Sequence, residues 1–146
     1  MKEFKLDPRL ERDCIILGEL NNNLLLLMNN SLVPWFVLVP KVLEMELIDL
    51  PDDKQVSVLQ DINVLSAFLR NNFDISKLNI AAIGNVVSQL HIHIVGRSPK
   101  DYCWPNVVWG VKECQPYSEK RINNIVKQIS IELGDKISLF GIVKRN

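Results

Sequence analysis

The chain has 146 residues, in which seventeen Lys and Arg balance seventeen Asp and Glu, with 47% hydrophobic and 23% charged residues and two histidines. A chain of this length buries roughly two-thirds of its unfolded surface, so it needs neither disulfides nor a metal to complete a core, and its composition argues against intrinsic disorder. Net neutrality argues against a broad electrostatic grip on nucleic acid, which takes a surplus of Lys and Arg on one face, although a local basic patch is compatible with it.

From the N-terminus, Met1-Lys2-Glu3-Phe4-Lys5 lacks the apolar centre of a secretory leader. Asp7-Pro8 pairs a capping carboxylate with a proline whose missing N–H is not needed in a first turn. With Leu10, Cys14 and Leu17 on one side, it predicts a first helix over 7–19. The runs Leu24–Met28 and Trp35–Val39, separated by Asn29-Asn30-Ser31 and Pro34, predict two buried strands of a hairpin with an irregular loop. Both are far shorter than the ~20 apolar residues of a membrane span, so no membrane segment and a cytoplasmic location are expected. From Asp52 to about Phe73, Val58, Ile62, Leu65 and Leu69 follow the period of an amphipathic helix. Leu78–Ile83 and Gln89–Val95 read as strands, with a bend or bulge at Gly84-Asn85 between them. The segment Arg97–Tyr117, rich in Pro, Trp and Asn, reads mostly as loop. Ser118 caps a last helix striped by Ile122, Ile125, Ile129 and Leu133, and residues beyond Gly134 are left unassigned.

No repeat, low-complexity tract or Gly/Ser linker divides the chain, so a single domain over 1–146 is expected. The order of elements predicts an α+β fold with a mainly antiparallel sheet and packed helices. Cys14, Cys103 and Cys114 are odd in number and lack Cys-x-x-Cys spacing, which encodes neither a disulfide framework nor a structural zinc site.

The chemistry concentrates in Gln89-Leu90-His91-Ile92-His93-Ile94-Val95, which holds both histidines of the protein. On a strand, Gln89, His91 and His93 share one face, and Leu90, Ile92 and Ile94 the other. Neighbours on the polar face then stand ~7 Å apart, close enough for two imidazoles and an amide to converge on one phosphate-sized anion. Three readings follow. Metal chelation by His-x-His needs further ligands, and Ile94-Val95-Gly96-Arg97-Ser98 supplies none, leaving Asp101 or Cys103 to fold back. A nucleophilic or acid/base histidine acting on phosphorus gains support from the nearby donors Asn85 and Gln89. A ligand-binding module without turnover is the third.

The run Gly84-Asn85-Val86-Val87-Ser88-Gln89-Leu90-His91-Ile92-His93-Ile94-Val95 resembles the signature of the histidine triad family: His, apolar, His, apolar, His, then two apolar residues. Upstream, Trp35–Lys41 is similar to that family's apolar strand ending in Pro-Lys or Pro-Arg. Gln-Leu-His-x-His, with Trp104-Pro105 and Trp109-Gly110 downstream, further resembles a small bacterial branch of diadenosine-tetraphosphate-hydrolase-like proteins. The likeness covers roughly residues 10–110. It implies a homodimer that needs no cofactor and acts at the α-phosphorus of a nucleotide conjugate through a nucleotidyl-histidine. His91 would be the nucleophile, His93, Gln89 and Asn85 phosphate contacts, and Asn30 a ribose contact.

Two departures stand out. Gln89 replaces the first histidine, and an amide exchanges no proton near neutral pH, so an acid role at that position is lost. Leaving-group protonation then falls to His93 or water or is not needed, which favours substrates with an already good leaving group. Trp35 stands where relatives place a histidine and reads as core or pocket wall. Arg97 is a candidate partner for phosphate or for Asp101, and Trp104 and Trp109 for stacking on a base or packing an interface.

Overall fold

Asp7 and Pro8 open the first helix, α1 (Pro8–Asp13), in the computed structural model, which describes residues 2–141. The Asp7 carboxylate accepts the Arg9 backbone N–H, satisfying one of the first-turn donors that no helical carbonyl reaches. The helix then ends well short of the expected 7–19. Cys14–Leu20 forms strand β1, which sends Ile15, Leu17 and Leu20 into the larger of two apolar cores. Spacing at Leu10, Cys14 and Leu17 mimics a helical stripe, but the ladder with β2 (Asn23–Met28) decides the conformation. The β-branched pair Ile15-Ile16 fits that extended backbone at little cost.

The other elements follow their sequence signals more closely. Strand β3 (Trp35–Pro40) completes the pair of apolar strands, and helix α2 (Asp52–Asn72) buries Val58, Ile62, Leu65 and Leu69 as its period requires. Strands β4 (Lys77–Ala81) and β5 (Ile92–Arg97) come next; β5 begins three residues later than expected, leaving Gln89, Leu90 and His91 in the approach to it. Residues 98–118 contain neither helix nor strand. Helix α3 (Glu119–Leu133) starts at Ser118, whose hydroxyl accepts the Arg121 N–H, and strand β6 (Ile137–Leu139) lies in the stretch left unassigned from sequence.

Among the described residues, six strands form one antiparallel sheet in the order β4-β5-β3-β2-β1-β6, the α+β arrangement expected. Alternation divides β3 and β5 between two cores. Phe36, Leu38, Ile92 and Ile94 pack with Leu65 and Phe68 of α2 and Ile125 and Ile129 of α3. On the opposite face Trp35, Val37 and Val95 pack with Leu10, Val87 and Val108, which come from α1 and from loops. Loops, rather than a regular layer, cover this second face, and that leaves room for a cavity there.

Asp61, which the apolar stripe of α2 does not reveal, is buried and receives the side-chain amides of Asn21 and Asn23 at 2.5 Å each, pinning the β1–β2 turn to the helix. Burial pushes its carboxyl above the usual range, and the two amide donors offset part of that. Among the described residues no helix is long and apolar enough to cross a membrane, and the three cysteines form no disulfide.

Gly18 permits the close approach of β6: a Cβ at this position would lie 2.2 Å from the Ser138 carbonyl oxygen. Gly18→Ala is therefore expected to push β6 off β1 and lower stability by about 1–3 kcal/mol, the scale of overpacking in a filled site. The check is urea unfolding followed by circular dichroism, in which an unchanged midpoint would contradict the close packing.

Candidate active site

Antiparallel pairing with β3 places His93 opposite Val37, and the pleat turns its ring away from the α2 side of the sheet. His91 precedes the strand and projects to the same side. The two imidazoles meet edge to face with centroids 4.9 Å apart, and each residue is only 6% exposed. Together they line a cavity of about 560 Å³, walled by Trp35, Trp109, Val108 and Met28 and rimmed by Asn85, Arg9 and Arg12. It is apolar at its walls with a few convergent polar groups, the usual make-up of a small-molecule site.

The rings are held differently. His91 Nδ1 lies 2.7 Å from the Gln89 carbonyl oxygen, and a carbonyl only accepts, so Nδ1 carries the proton and Nε2 keeps a free lone pair. His93 Nδ1 receives the Trp35 indole N–H at 3.0 Å. Trp109 packs edge-on against both His93 and Trp35, with centroids 5.4 Å and 6.0 Å away. Burial first, and the neighbouring His91 second, push the His93 imidazole down from 6.5 to about 4, so His93 is neutral at physiological pH.

Of the residues named from sequence, His91, His93, Asn85 and Asn30 border this cavity. Asn30 is buried, and its side-chain oxygen accepts the Leu32 and Gln115 N–H groups, so it also ties the 29–32 loop to residue 115. Gln89 does not border it. Its amide accepts the Asp7 N–H at 2.8 Å and donates to the Lys5 carbonyl at 2.8 Å, as a peptide group would across a ladder. Because β5 begins only at Ile92, the alternation that put Gln89 beside the histidines does not extend back to it.

Arg97 and Trp104 do not border this cavity either, and of its two expected partners Arg97 takes Asp101. Arg97 is 1% exposed, and its guanidinium binds both Asp101 carboxylate oxygens at 2.8 and 3.2 Å, the Asn79 side chain at 2.8 Å and the Asn106 carbonyl at 2.7 Å. A buried cation has to be paired, and Asp101 one helical turn's spacing away supplies the partner, holding Asp101 below its ordinary range despite burial. Trp104 stacks over this guanidinium, 5.6 Å from ring centroid to Cζ. The network folds residues 98–109 back so that Trp109 reaches the histidines.

Sequence reasoning missed Arg9, which ion-pairs with Asp7 and donates to the Val86 carbonyl, joining α1 to the loop that carries Asn85. No local signal separates it from an ordinary helix charge. The hydrogen bond from Trp35 to His93 was equally hidden, since it depends on strand register.

Comparison with known proteins agrees with this fold. The HIT domain family model matches residues 9–100. Crystal structures of three histidine triad proteins are similar to the chain. One from Bradyrhizobium japonicum is 33% identical and covers 90% of this chain and 98% of its own, with a TM-score of 0.86. One from Sinorhizobium meliloti is 35% identical over 88% and 96%, at 0.85. A third, from Marinobacter aquaeolei, is 36% identical over 90% and 97%, at 0.86. No curated protein matches the sequence. The chain belongs to the HIT domain family, whose members are commonly nucleotide-binding hydrolases or transferases.

Two outcomes follow from the way the side chains are held. Gln89→His, which would complete a row of three histidines, removes an amide bridge that imidazole geometry does not reproduce. It should lower stability by about 1–2 kcal/mol, the worth of two hydrogen bonds, seen as a drop of several degrees in Tm; a raised Tm would contradict the bridge. The folded-state pKa of His93 lies below its unfolded value, so on acidification the unfolded chain takes up the proton first and stability falls between pH 6.5 and 4. At pH 4.5 wild type should have lost about 2–3 kcal/mol more, relative to pH 7, than His93→Gln, read from paired urea titrations.

Proposed function

We propose that the chain hydrolyses or transfers the nucleotidyl group of a nucleotide conjugate or dinucleoside polyphosphate, with His91 as nucleophile and without a cofactor. The observation that carries this is the His91 Nδ1 bond to the Gln89 carbonyl, which leaves a lone pair on Nε2 within the cavity. In the first step Nε2 forms a bond to the α-phosphorus while the bond to the leaving group breaks and that group keeps the electron pair. The imidazolium so formed holds its remaining proton against the Gln89 carbonyl, which stabilises the new positive charge. Water then attacks phosphorus, the N–P bond breaks and returns its pair to Nε2, and the proton of the water passes to solvent. His93 and Asn85 bind non-bridging oxygens, and Asn30 faces the ribose.

Trp109, Trp35, Val108 and Met28 support a nucleoside bound through its flat, partly apolar base. Gln89 acts at one remove, offering its backbone carbonyl to His91 while its side chain anchors residues 5–7. The same reading includes a single-domain homodimer working in the cytoplasm, and places the chain in the diadenosine-tetraphosphate-hydrolase-like branch, as its resemblance to that branch implies.

The test is rapid quenching of wild type with dinucleoside polyphosphates and with nucleoside monophosphate alkyl esters, followed by mass spectrometry. A nucleotidyl adduct on His91 is expected with the polyphosphates. His91→Ala should lose at least about 10³-fold in kcat/KM, the scale for losing a nucleophile, while still binding nucleotide. Turnover unaffected by His91→Ala would refute the assignment, and tight nucleotide binding with no reaction in wild type would make the protein a binding module.

A further inference from the structure

The structure points to a positioning role for Trp35: its indole N–H holds His93 in the neutral form that carries its proton on Nε2. His93 then becomes a fixed hydrogen-bond donor to a non-bridging phosphate oxygen and is removed as a source of protons for the leaving group. The inference rests on the phosphoryl-transfer reading above.

An indole nitrogen only donates, so at 3.0 Å His93 Nδ1 has to accept, and the proton of the neutral ring sits on Nε2. Register keeps the pair together, because Trp35 stands opposite Val95 and Val37 opposite His93 on adjacent buried strands. A cationic His93 would set one N–H against another across this contact and would bury a charge against Trp35 and Trp109. The titratable group packed against it is His91, whose ring is 4.9 Å away and which becomes cationic in the covalent intermediate, a further reason for His93 to stay neutral. The low pKa of about 4 agrees with this arrangement.

A neutral imidazole N–H donates a hydrogen bond readily and gives up its proton only to a very strong base. His93 therefore offers a phosphate oxygen a donor of fixed direction, and no proton to a departing oxygen. The indole prevents its neighbour from acquiring a second proton, and the Gln89 side chain, held by Asp7 and Lys5 away from the cavity, places no proton source there. The site is left with leaving groups that depart as stable anions, such as a nucleotide or polyphosphate, or that take their proton from water.

The decisive measurement is ¹⁵N NMR of the imidazole rings in the full chain, where two histidines give two readily separated ring systems. Wild type should show His93 protonated on Nε2 only. Trp35→Phe, which keeps a flat ring but no N–H, should show both tautomers, a His93 titration displaced toward 6.5, and kcat reduced about tenfold with KM little changed, the scale of one positioning hydrogen bond. Trp109→Phe removes a neighbouring ring with no bond to His93 and should leave the tautomer as it was.

A wild-type proton on Nδ1, or an unchanged tautomer in Trp35→Phe, would overturn the inference. Should Trp35→Phe not fold, the wild-type spectrum still decides the tautomer. The dependence of wild-type kcat/KM on leaving-group basicity, across a series of aryl and alkyl esters of a nucleoside monophosphate, decides the proton question. A steep fall with basicity is expected, and a flat response would overturn the claim that His93 supplies no proton. The expected tautomer, lost in Trp35→Phe, together with no turnover of any nucleotide would leave Trp35's hold on His93 standing and sink the hydrolase reading instead.

Discussion

The β3–β5 ladder is the constraint on which the rest of the site depends. Sliding β5 by one residue would turn both histidines toward Phe68 and send Ile92 and Ile94 into the cavity, because the side-chain period of a strand is two. Four aliphatic and aromatic side chains on the α2 face, Phe36, Leu38, Ile92 and Ile94, hold that register. Each contributes roughly 1.5–3 kcal/mol by leaving water, so a slip would cost far more than any gain from solvating the imidazoles. The geometry of the candidate site is in this sense set by the hydrophobic face on the other side of the sheet.

Polar groups then refine what the register establishes. The two histidines have near-identical burial but opposite hydrogen-bond partners at Nδ1, a carbonyl for His91 and an indole N–H for His93. One ring therefore presents a lone pair and the other a donor, from the same residue type two positions apart. Beyond them, the buried Arg97–Asp101 pair and the Asp61–Asn21–Asn23 cluster do structural work at the two ends of the sheet. Arg97 shapes the loop that delivers Trp109, and Asp61 fastens the turn between β1 and β2.

Much of this was legible in the chain. The α+β class, the long α2, the Ser118 cap and the grouping of His91 with His93 all follow from local periodicity and capping chemistry, where each residue's neighbours in sequence are also its neighbours in the element. Failures occurred where local patterns are degenerate. Cys14–Leu20 carries apolar residues at spacings that suit a helix, and only its pairing with β2 and β6 selects the strand. Arg97 and Gln89 sit where they resemble ligand contacts in one dimension, yet both are occupied by partners that other elements or loops supply.

The sequence by itself determined which chemistry is available: two histidines in one short apolar run, no proton-exchanging side chain at Gln89, and balanced charge with no surplus of cations. It also determined the alternation that buries one face of that strand. Tertiary structure alone decided the protonation of each ring and the company each keeps, because a tautomer is chosen by the group facing Nδ1. For His93 that group is Trp35, fifty-eight residues away in the chain. It likewise decided that Trp109 rather than Trp104 walls the cavity, since the Arg97 network folds the intervening loop and no spacing rule encodes that path.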